Sequence, residues 1–379
     1  LVGSEMCIRD SIKAILKEWE MYCGLFKKRP RIKELHLGGG TPTFFSPENL
    51  QTLIKGILRL GDRMPDYEFS FEGHPNNTSR AHLQTLYNLG FRRVSFGVQD
   101  YNETVQKAIH RIQPFHNVAK VTFWAREIGY TSISHDLVFG LPFQTLDSCI
   151  DTIEKTKSLN PDRLAYYSYA HVPWIKGSGQ RGFDETNLPK DEEKRRLYET
   201  GKELLSEKGF YEIGMDHFAL ETDSMYKAFK DGGLHRNFMG YNAGKTQLMI
   251  GLGVSSISDS WYSFAQNEKT LEEYYQRIEA GELPVFRGHL LTDEDLLIRK
   301  HILNLMCRFE TSWEPNGTNY FSELPEVLHS LTEMEQDGLI SFGTNKIIVT
   351  EKGKPYVRNV CMAFDPVSYT HLRAHETDS

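Results

Sequence analysis

The chain has 379 residues, of which 39% are hydrophobic and 25% are charged, and its formal net charge is −7. This composition excludes a disordered chain, and the length allows one large domain with a smaller one attached. No apolar run approaches the roughly 20 residues of a membrane-spanning helix, and the net negative charge argues against a broad nucleic-acid surface. We therefore expect a cytoplasmic protein without a membrane span that binds no nucleic acid.

The five cysteines are widely separated and include no C-x-x-C pair, which indicates reduced thiols rather than a disulfide framework. The two ends of the chain differ in pattern from the remainder. We interpret residues 1–11 (LVGSEMCIRDS) and 368–379 (SYTHLRAHETDS) as non-native segments and exclude them from the fold prediction. Residues 12–290 are then expected to form the main domain and residues 291–367 a second, smaller one.

Helical spacing of apolar residues runs from Ile12 to Phe26, and strands and helices alternate from there to Gly214. Strands are predicted at Arg31–Leu37, Tyr67–Glu72, Arg93–Val98, Thr131–Val138, Arg163–Ser168 and Phe210–Gly214. Helices are predicted at Pro47–Leu60, Ser79–Leu89, Asn102–Ile109, Phe115–Ile128, Leu146–Leu159 and Lys190–Lys208. Such alternation is typical of an α/β fold with a parallel sheet and crossover helices, here an open barrel related to the (β/α)8 type.

The pattern changes near Leu291. Helices are predicted at Asp293–Met306 and Leu324–Gln336, followed by a hairpin at Leu339–Thr350 that turns at residues 343–345. Helices with a two-stranded wing predict a small, mainly helical, winged-helix-like domain. The wing carries a single lysine, so the pattern does not imply DNA binding.

Polar residues recur just where the predicted strands end. The glycines of LGGGTP after the first strand expose bare backbone to a ligand, although a tight structural turn would use the same residues. Glu72 ends the second strand, Gln99 and Asp100 follow the third, and Asp136 lies in the fourth. A lone acidic strand residue is more often structural, but four neighbouring strands with polar residues at the same end predict a ligand site at one rim.

Eight stretches carry a family resemblance: LHLGGGTPTFF, SFEGHPNNT, RVSFGVQDYN, VQKAIHRIQ, DLVFGLPFQT, NPDRLAYYSYAHVP, GMDHFA and LHRNFMGY. They resemble, in order, the motifs of the oxygen-independent coproporphyrinogen III oxidases, from about Ile12 to Pro366. The resemblance implies a radical S-adenosylmethionine (SAM) enzyme with an incomplete (β/α)6 barrel, its first strand missing here, and a helical C-terminal domain. The implied reaction belongs to haem (porphyrin) biosynthesis: two propionates of coproporphyrinogen III are oxidatively decarboxylated to vinyl groups, giving protoporphyrinogen IX.

The resemblance also implies one [4Fe–4S] iron–sulfur cluster and two SAM molecules per chain. Carried over by motif, the cofactor-binding residues are Gly39, Gly40, Thr41, Glu72, Gln99, Arg111, Asp136, Ala170 and Ile257. Acids, an amide and an arginine can hydrogen-bond the ribose diol, amino group and carboxylate of SAM. The tetracarboxylate substrate needs aromatic walls and cations, for which the candidates are Tyr166, Tyr167, Tyr169, His171, His217, His235 and Arg236.

The sequence departs from the family pattern at the cluster. The family holds it through a C-x-x-x-C-x-x-C loop after the first barrel strand, and no such triad occurs here. We interpret the chain as N-terminally truncated, and we expect it to bind no cluster and to show no turnover. No metal ligand or catalytic residue is assigned. The resemblance further implies an external electron donor, and we expect a monomer.

Two other interpretations stay open. A haem chaperone of the same superfamily shares the GGGTP run, although GMDHFA and LHRNFMGY resemble the oxidase branch. A non-catalytic barrel that only binds SAM would also fit a chain without the cysteine triad. A barrel hydrolase is not favoured, because no Ser-His-Asp arrangement or metal-ligand cluster is visible.

Overall fold

The computed structural model describes residues 2–172, 183–245, 247–315 and 317–365. Its largest sheet has seven strands in the order β1-β2-β3-β4-β5-β7-β6. These are β1 (Arg31–Leu37), β2 (Asp62–Gly73), β3 (Phe91–Gln99), β4 (Ser132–Phe139), β5 (Arg163–Ser168), β6 (Phe210–Ile213) and β7 (His217–Leu220). Strands β1 to β5 pair in parallel, which confirms the predicted α/β fold with a parallel sheet.

Helices connect these strands. They are α1 (Val2–Leu25), α2 (Pro47–Leu60), α3 (Arg80–Asn88), α4 (Glu103–Ala108), α5 (Phe115–Ile128), α6 (Leu146–Ser158) and α7 (Asp191–Glu207). The predicted helix limits follow from local signals: Ser46 caps α2 by accepting a 3.3 Å hydrogen bond from the Asn49 amide, and Gly129 ends α5 in the left-handed region at φ 111°. Helix α1 begins at Val2 rather than at the predicted Ile12.

The sixth predicted strand is not simply the next parallel unit, and that expectation was wrong. Strand β6 pairs antiparallel with β7, and β7 pairs antiparallel with β5, so β7 separates β6 from the parallel strands. Only residues 214–216 connect β6 to β7, with Gly214 at φ 64°. A connection this short can only reverse the chain, whereas a parallel neighbour needs a crossover of a dozen or more residues.

The outer face of the parallel strands forms the main hydrophobic core with the helices. Phe69, Phe71, Phe91 and Phe96 are fully buried there, against leucines of α2 and α3. Burying such a side chain stabilises the fold by about 1.5–3 kcal/mol. The apolar side chains of these strands therefore face the helices. The side chains on the opposite face of each strand do not contribute to this core.

A second, antiparallel sheet has the strand order β10-β11-β12-β13, and the sequence did not predict it. The elements of this region are α8 (Ser224–Lys230), β8 (His235–Asn237), β9 (Gly240–Asn242), β10 (Leu248–Met249), β11 (Ile257–Ser260), β12 (Ser263–Asn267), α9 (Leu271–Ala280) and β13 (Val285–Leu290). The buried Glu18 carboxylate of α1 ties the region to the first helix. It accepts hydrogen bonds from the Gly253 amide at 2.8 Å, Asn267 at 2.6 Å and Tyr274 at 2.7 Å.

The C-terminal region contains α10 (Asp293–Arg308), β14 (Glu310–Ser312), α11 (Leu324–Ser330), α12 (Thr332–Gln336), β15 (Ile340–Gly343), β16 (Lys346–Val349) and α13 (Val357–Met362). The predicted hairpin is confirmed, β14 adds a third strand, and the single helix predicted at 324–336 is divided at Leu331. Ile213 and Tyr241 share one core with Leu305 and Val360, so this region packs directly on the end of the large sheet. Among the described residues, no helix is long and apolar enough to cross a bilayer.

Candidate functional site

The inner face of the parallel strands is polar. Because side chains alternate along a strand, the residues between the buried apolar positions point away from the helices. They include Glu34, His36, Ser70, Glu72, Arg93, Ser95, Ser134, Asp136 and Tyr167. Inward polar groups cost desolvation free energy unless they are hydrogen-bonded or bind a ligand. This face is therefore where a functional site is expected.

Asp136 lies half-buried near the carboxyl end of β4 and is held by β3. The Ser95 hydroxyl lies 2.8 Å from both of its carboxylate oxygens and donates to them. Burial raises the pKa of Asp136 to about 6; the Ser95 hydrogen bond opposes the rise, the Glu72 carboxylate adds to it, and the Arg111 charge lowers it. Since these groups act on one carboxyl, Glu72, Ser95, Arg111 and Asp136 form a single electrostatic unit.

Glu72 is oriented by a hydrogen-bonded histidine from β1. Its Oε1 lies 3.4 Å from Nε2 of His36, whose Nδ1 lies 2.9 Å from the Ser70 hydroxyl. A Cβ added at Gly38 would lie 2.9 Å from Glu72 Oε1 and 2.5 Å from His36 Nε2. Gly38 therefore has to be a glycine for Glu72 to reach the start of the glycine turn, and nearly half of the Glu72 side chain stays exposed for a ligand.

Gly39 and Gly40 lack a side chain for different structural reasons. Gly39 adopts φ 82°, which disfavours any side chain. A Cβ on either Gly39 or Gly40 would meet no atom within 4 Å. The absence of a side chain at Gly40 thus leaves open space beside the backbone, as a bound ligand would need, and Thr41 follows at the start of the 3-10 turn at Pro42–Phe44.

Arg111 and Gln99 converge on the end of β3. An Arg111 terminal nitrogen donates to the Gly97 carbonyl at 3.0 Å, and Gln113 donates to the same oxygen at 2.8 Å. A Cβ on Gly97 would lie 2.7 Å from Arg111 and 3.0 Å from the Gln99 amide nitrogen. A glycine in β3 therefore admits both side chains to the site.

Gln99 and Asp100 point in opposite directions. Gln99 has φ 67°, and the β3–β4 register shifts between Gly97 and Gln99, so the strand ends in a bulge. Asp100 is fully buried and accepts hydrogen bonds from the Asn102 amide at 2.6 Å and from Gln144 at 2.7 Å. Asp100 is thus a structural anchor, while the strained Gln99 backbone turns its side chain toward the site.

The structure brings Glu72, Gln99, Arg111 and Asp136 together beside the glycine turn. The roles predicted for Ala170 and Ile257 stay predictions. Ala170 lies two residues beyond β5, where the neighbouring Tyr169 amide donates to the Phe139 carbonyl at 2.8 Å. Ile257 begins β11 and so belongs to the second sheet.

Part of the predicted substrate set lies on the inner side of β5. The Tyr167 hydroxyl is 3.4 Å from Nε2 of His217, and the His217 ring packs edge-on against Tyr241 at 5.3 Å. Arg236 lies over the Tyr241 ring at 4.7 Å. Burial and, to a smaller extent, the nearby positive charge of Arg236 together lower the pKa of His217 to about 3. These residues form a neutral aromatic wall with one cation.

Tyr166 does not belong to this wall, and its assignment to the substrate pocket was wrong. It is fully buried on the helix side of β5, where its hydroxyl lies 3.0 Å from Cys149 Sγ and donates to the Leu197 carbonyl at 2.8 Å. Strand alternation places Tyr166 and Tyr167 on opposite faces. His235 is also buried, in strand β8 against helix α10, and burial lowers its pKa.

Two site residues were missed. Ser95 and His36 have no special local pattern, and each gains its role from a partner on the next strand. The sequence signal that could have found them is the polar residue at alternate positions of otherwise apolar strands.

The described residues fit SAM but not an iron–sulfur cluster. The carboxylates of Glu72 and Asp136, the Arg111 guanidinium and the open space at Gly40 suit the amino, hydroxyl and carboxylate groups of SAM. Cys23 lies on α1, and Cys149 is buried in the core between β4, β5 and the helices that cover them. Cys307 and Cys361 are buried in the C-terminal core. Within the described ranges, no three His, Cys, Asp or Glu side chains are grouped to hold a metal.

Comparisons with known proteins identify the family of this chain. The model of the Radical SAM superfamily matches residues 9–156. The oxygen-independent coproporphyrinogen III oxidase of Helicobacter pylori is 38% identical over 359 residues, covering 93% of this chain and 78% of the relative. The protein of the same name from Escherichia coli K12 is 37% identical, covering 90% and 75%. The solved structure of the Escherichia coli coproporphyrinogen III oxidase, described as a radical SAM enzyme, superposes with a TM-score of 0.89 and 35% identity, covering 95% of this chain and 83% of that one. This chain therefore belongs to the oxygen-independent coproporphyrinogen III oxidase family of radical SAM proteins.

Proposed function

We propose that this chain binds SAM and coproporphyrinogen III for the oxygen-independent oxidative decarboxylation of two propionates to vinyl groups. The observation that carries the proposal is the gathering of Glu72, Gln99, Arg111 and Asp136 around the open glycine turn. Family membership supports the reaction and implies both SAM and a [4Fe–4S] cluster. The Helicobacter pylori and Escherichia coli relatives bear the oxidase name, which favours this reaction over a haem chaperone.

The polar residues of the site would each contact a different group of SAM. In this proposal Glu72 and the backbone of residues 39–41 hold the amino group of one SAM, and Asp136 accepts from a ribose hydroxyl. Arg111, which is charged at all physiological pH values, pairs with a carboxylate. Gln99, Ala170 and Ile257 are proposed as further contacts, and two SAM molecules per chain are part of the same proposal.

SAM held by Glu72, Arg111 and Asp136 would supply the radical chemistry of this family when a reduced cluster is present. The chain's own residues bind, orient and exclude water. Since the described cysteines are not gathered, we propose that the chain as given binds its ligands without turnover. We further propose that this chain is a cytoplasmic monomer and that the reaction of the family uses an external electron donor.

Calorimetric titration with SAM tests the proposal. Glu72→Gln and Arg111→Gln should each weaken SAM binding by about tenfold, the loss of one charge-assisted hydrogen bond. Glu203→Gln, which removes an exposed carboxylate on α7, is the matched control and should bind as the wild type does. A wild-type chain that ignores SAM but binds haem tightly would contradict the proposal and favour the chaperone.

A further inference from the structure

A cavity of about 520 Å³ lies where the carboxyl edge of the large sheet meets the C-terminal helices. We call it the α7–α13 cavity; its lining includes Tyr167, Lys194, Arg195, Asp216, Tyr356 and Arg358. Its size falls in the range of small-molecule sites, and such sites occur preferentially at junctions between structural units and at the carboxyl ends of parallel strands. Of the lining residues just named, only Tyr167 is a substrate candidate from the sequence.

Tyr167 joins this cavity to the proposed SAM site. Its ring lies on the inner face of β5, and its hydroxyl reaches His217 at 3.4 Å. Burial raises the pKa of Tyr167, and the carboxylates of Asp136 and Asp216 raise it further. Asp136 of β4 pairs with Ala165 of β5, and Tyr167 is the next residue of β5 on the same face, so a ligand in the cavity would lie beside the proposed SAM site.

The cations of the cavity differ in how far they are already engaged. Lys194 donates to the Tyr169 carbonyl at 2.7 Å. Arg195 pairs with Glu199 at 2.8 Å and donates to the Tyr356 hydroxyl at 2.9 Å. Arg358 is exposed, and it has neither a salt bridge nor a hydrogen bond to any other residue that the structure describes.

Asp216 does not cancel the charge of Arg358. Burial raises the pKa of Asp216 to about 6, and Arg236 has the larger of the two lowering effects on it, ahead of Arg358. Both arginines lower this pKa, and no salt bridge joins Asp216 to Arg358 among the residues that the structure describes. The guanidinium of Arg358 remains available for an anion entering the cavity.

The substrate supplies such an anion. Coproporphyrinogen III carries four carboxylates on an apolar macrocycle, and only two of them are removed. The two that persist must be held through both decarboxylations, and a carboxylate is held best by an arginine fork. An aromatic wall at Tyr167 and Tyr356 beside an unpaired arginine suits a carboxyethyl arm and the edge of the ring that bears it.

We propose that the α7–α13 cavity is a carboxylate subsite that anchors a propionate of the substrate which is not undergoing reaction, with Arg358 as its principal partner. This inference rests on the proposed function. It assigns to the C-terminal helices a direct part in holding the substrate, which also explains why they share a core with the end of the large sheet.

Fluorescence titration with coproporphyrin III, the stable oxidised form of the substrate, tests the subsite on the full chain. Arg358→Gln should weaken coproporphyrin III binding by about tenfold, and Arg358→Lys should recover part of the loss. SAM affinity should stay unchanged in both variants, which also shows that they fold. Arg196→Gln makes the same change of charge on the exposed surface of α7 and should have no effect.

The outcomes separate the two proposals. If the wild type does not bind coproporphyrin III, the proposed substrate itself is wrong. If the wild type binds it and Arg358→Gln binds equally well, the subsite is overturned while the proposed function stands. Equal losses in Arg358→Gln and Arg196→Gln would also overturn the subsite, because they would reflect the total charge alone.

Discussion

Replacing Asp136 by asparagine should stabilise the folded chain at neutral pH while it weakens SAM binding. Burial raises the pKa of this carboxyl from 3.8 to about 6, with the Ser95 hydrogen bond opposing and the Glu72 charge adding. Each pKa unit corresponds to about 1.4 kcal/mol. Keeping Asp136 ionised in the fold therefore costs about 3 kcal/mol, a cost that asparagine avoids and that bound SAM would offset.

The stability difference between the wild type and Asp136→Asn should depend on pH. Below pH 3.8 the carboxyl is protonated in both the folded and the unfolded chain, so there is no cost. As the pH rises toward about 6, the unfolded chain has lost the proton and the folded chain keeps it, so the wild type loses stability relative to Asp136→Asn. Above about 6 the difference is constant. The advantage of the variant should be about 1 kcal/mol at pH 4.5 and about 3 kcal/mol at pH 7.5.

Urea unfolding of wild type and variant at these two pH values measures the advantage. Glu203→Gln removes an exposed carboxylate and should change the free energy of unfolding by less than about 0.5 kcal/mol at either pH. If Asp136→Asn were less stable than the wild type at pH 7.5, or its advantage did not change with pH, burial of the charge would not be the cause. SAM titration at pH 7.5 should show weaker binding by the same variant.

Three further results are expected. Asp223→Ala should lower the free energy of unfolding by about 3–5 kcal/mol, because it leaves the buried Arg163 guanidinium without its 2.7 Å partner; adding Arg163→Met should restore part of it, and urea curves showing no loss in the single variant would contradict this. Gly97→Ala should weaken SAM binding by about tenfold, because the new Cβ would lie 2.7 Å from Arg111, whereas the helix-surface change Gly24→Ala should not; equal affinities would rule out this role of Arg111. Anaerobic reconstitution with iron and sulfide should give no stoichiometric cluster, and a full thiolate-to-iron absorbance band would refute that expectation.

Much of the fold could be predicted from the sequence because its signals are local. The polar residue before Pro47 set the start of α2, and Gly129 set the end of α5. The alternation of strand and helix patterns of apolar residues predicted β1 to β5. The family motifs predicted Glu72, Arg111 and Asp136 as cofactor-binding residues. Glu72 and Asp136 lie near the carboxyl ends of their strands, and in a parallel sheet all such ends meet at one edge.

Only the tertiary structure decided which side chains face that edge. The left-handed φ of Gln99 sends Gln99 and Asp100 to opposite sides, and no local pattern encodes this. His36 acquires its role from a partner on another strand, and Glu18 from groups more than 200 positions away along the chain. Such contacts depend on how distant segments pack against each other. The sequence by itself therefore determined β1 to β5, the helices between them and the family, while the packing of distant segments decided the second sheet, the α7–α13 cavity and the orientation of each polar group.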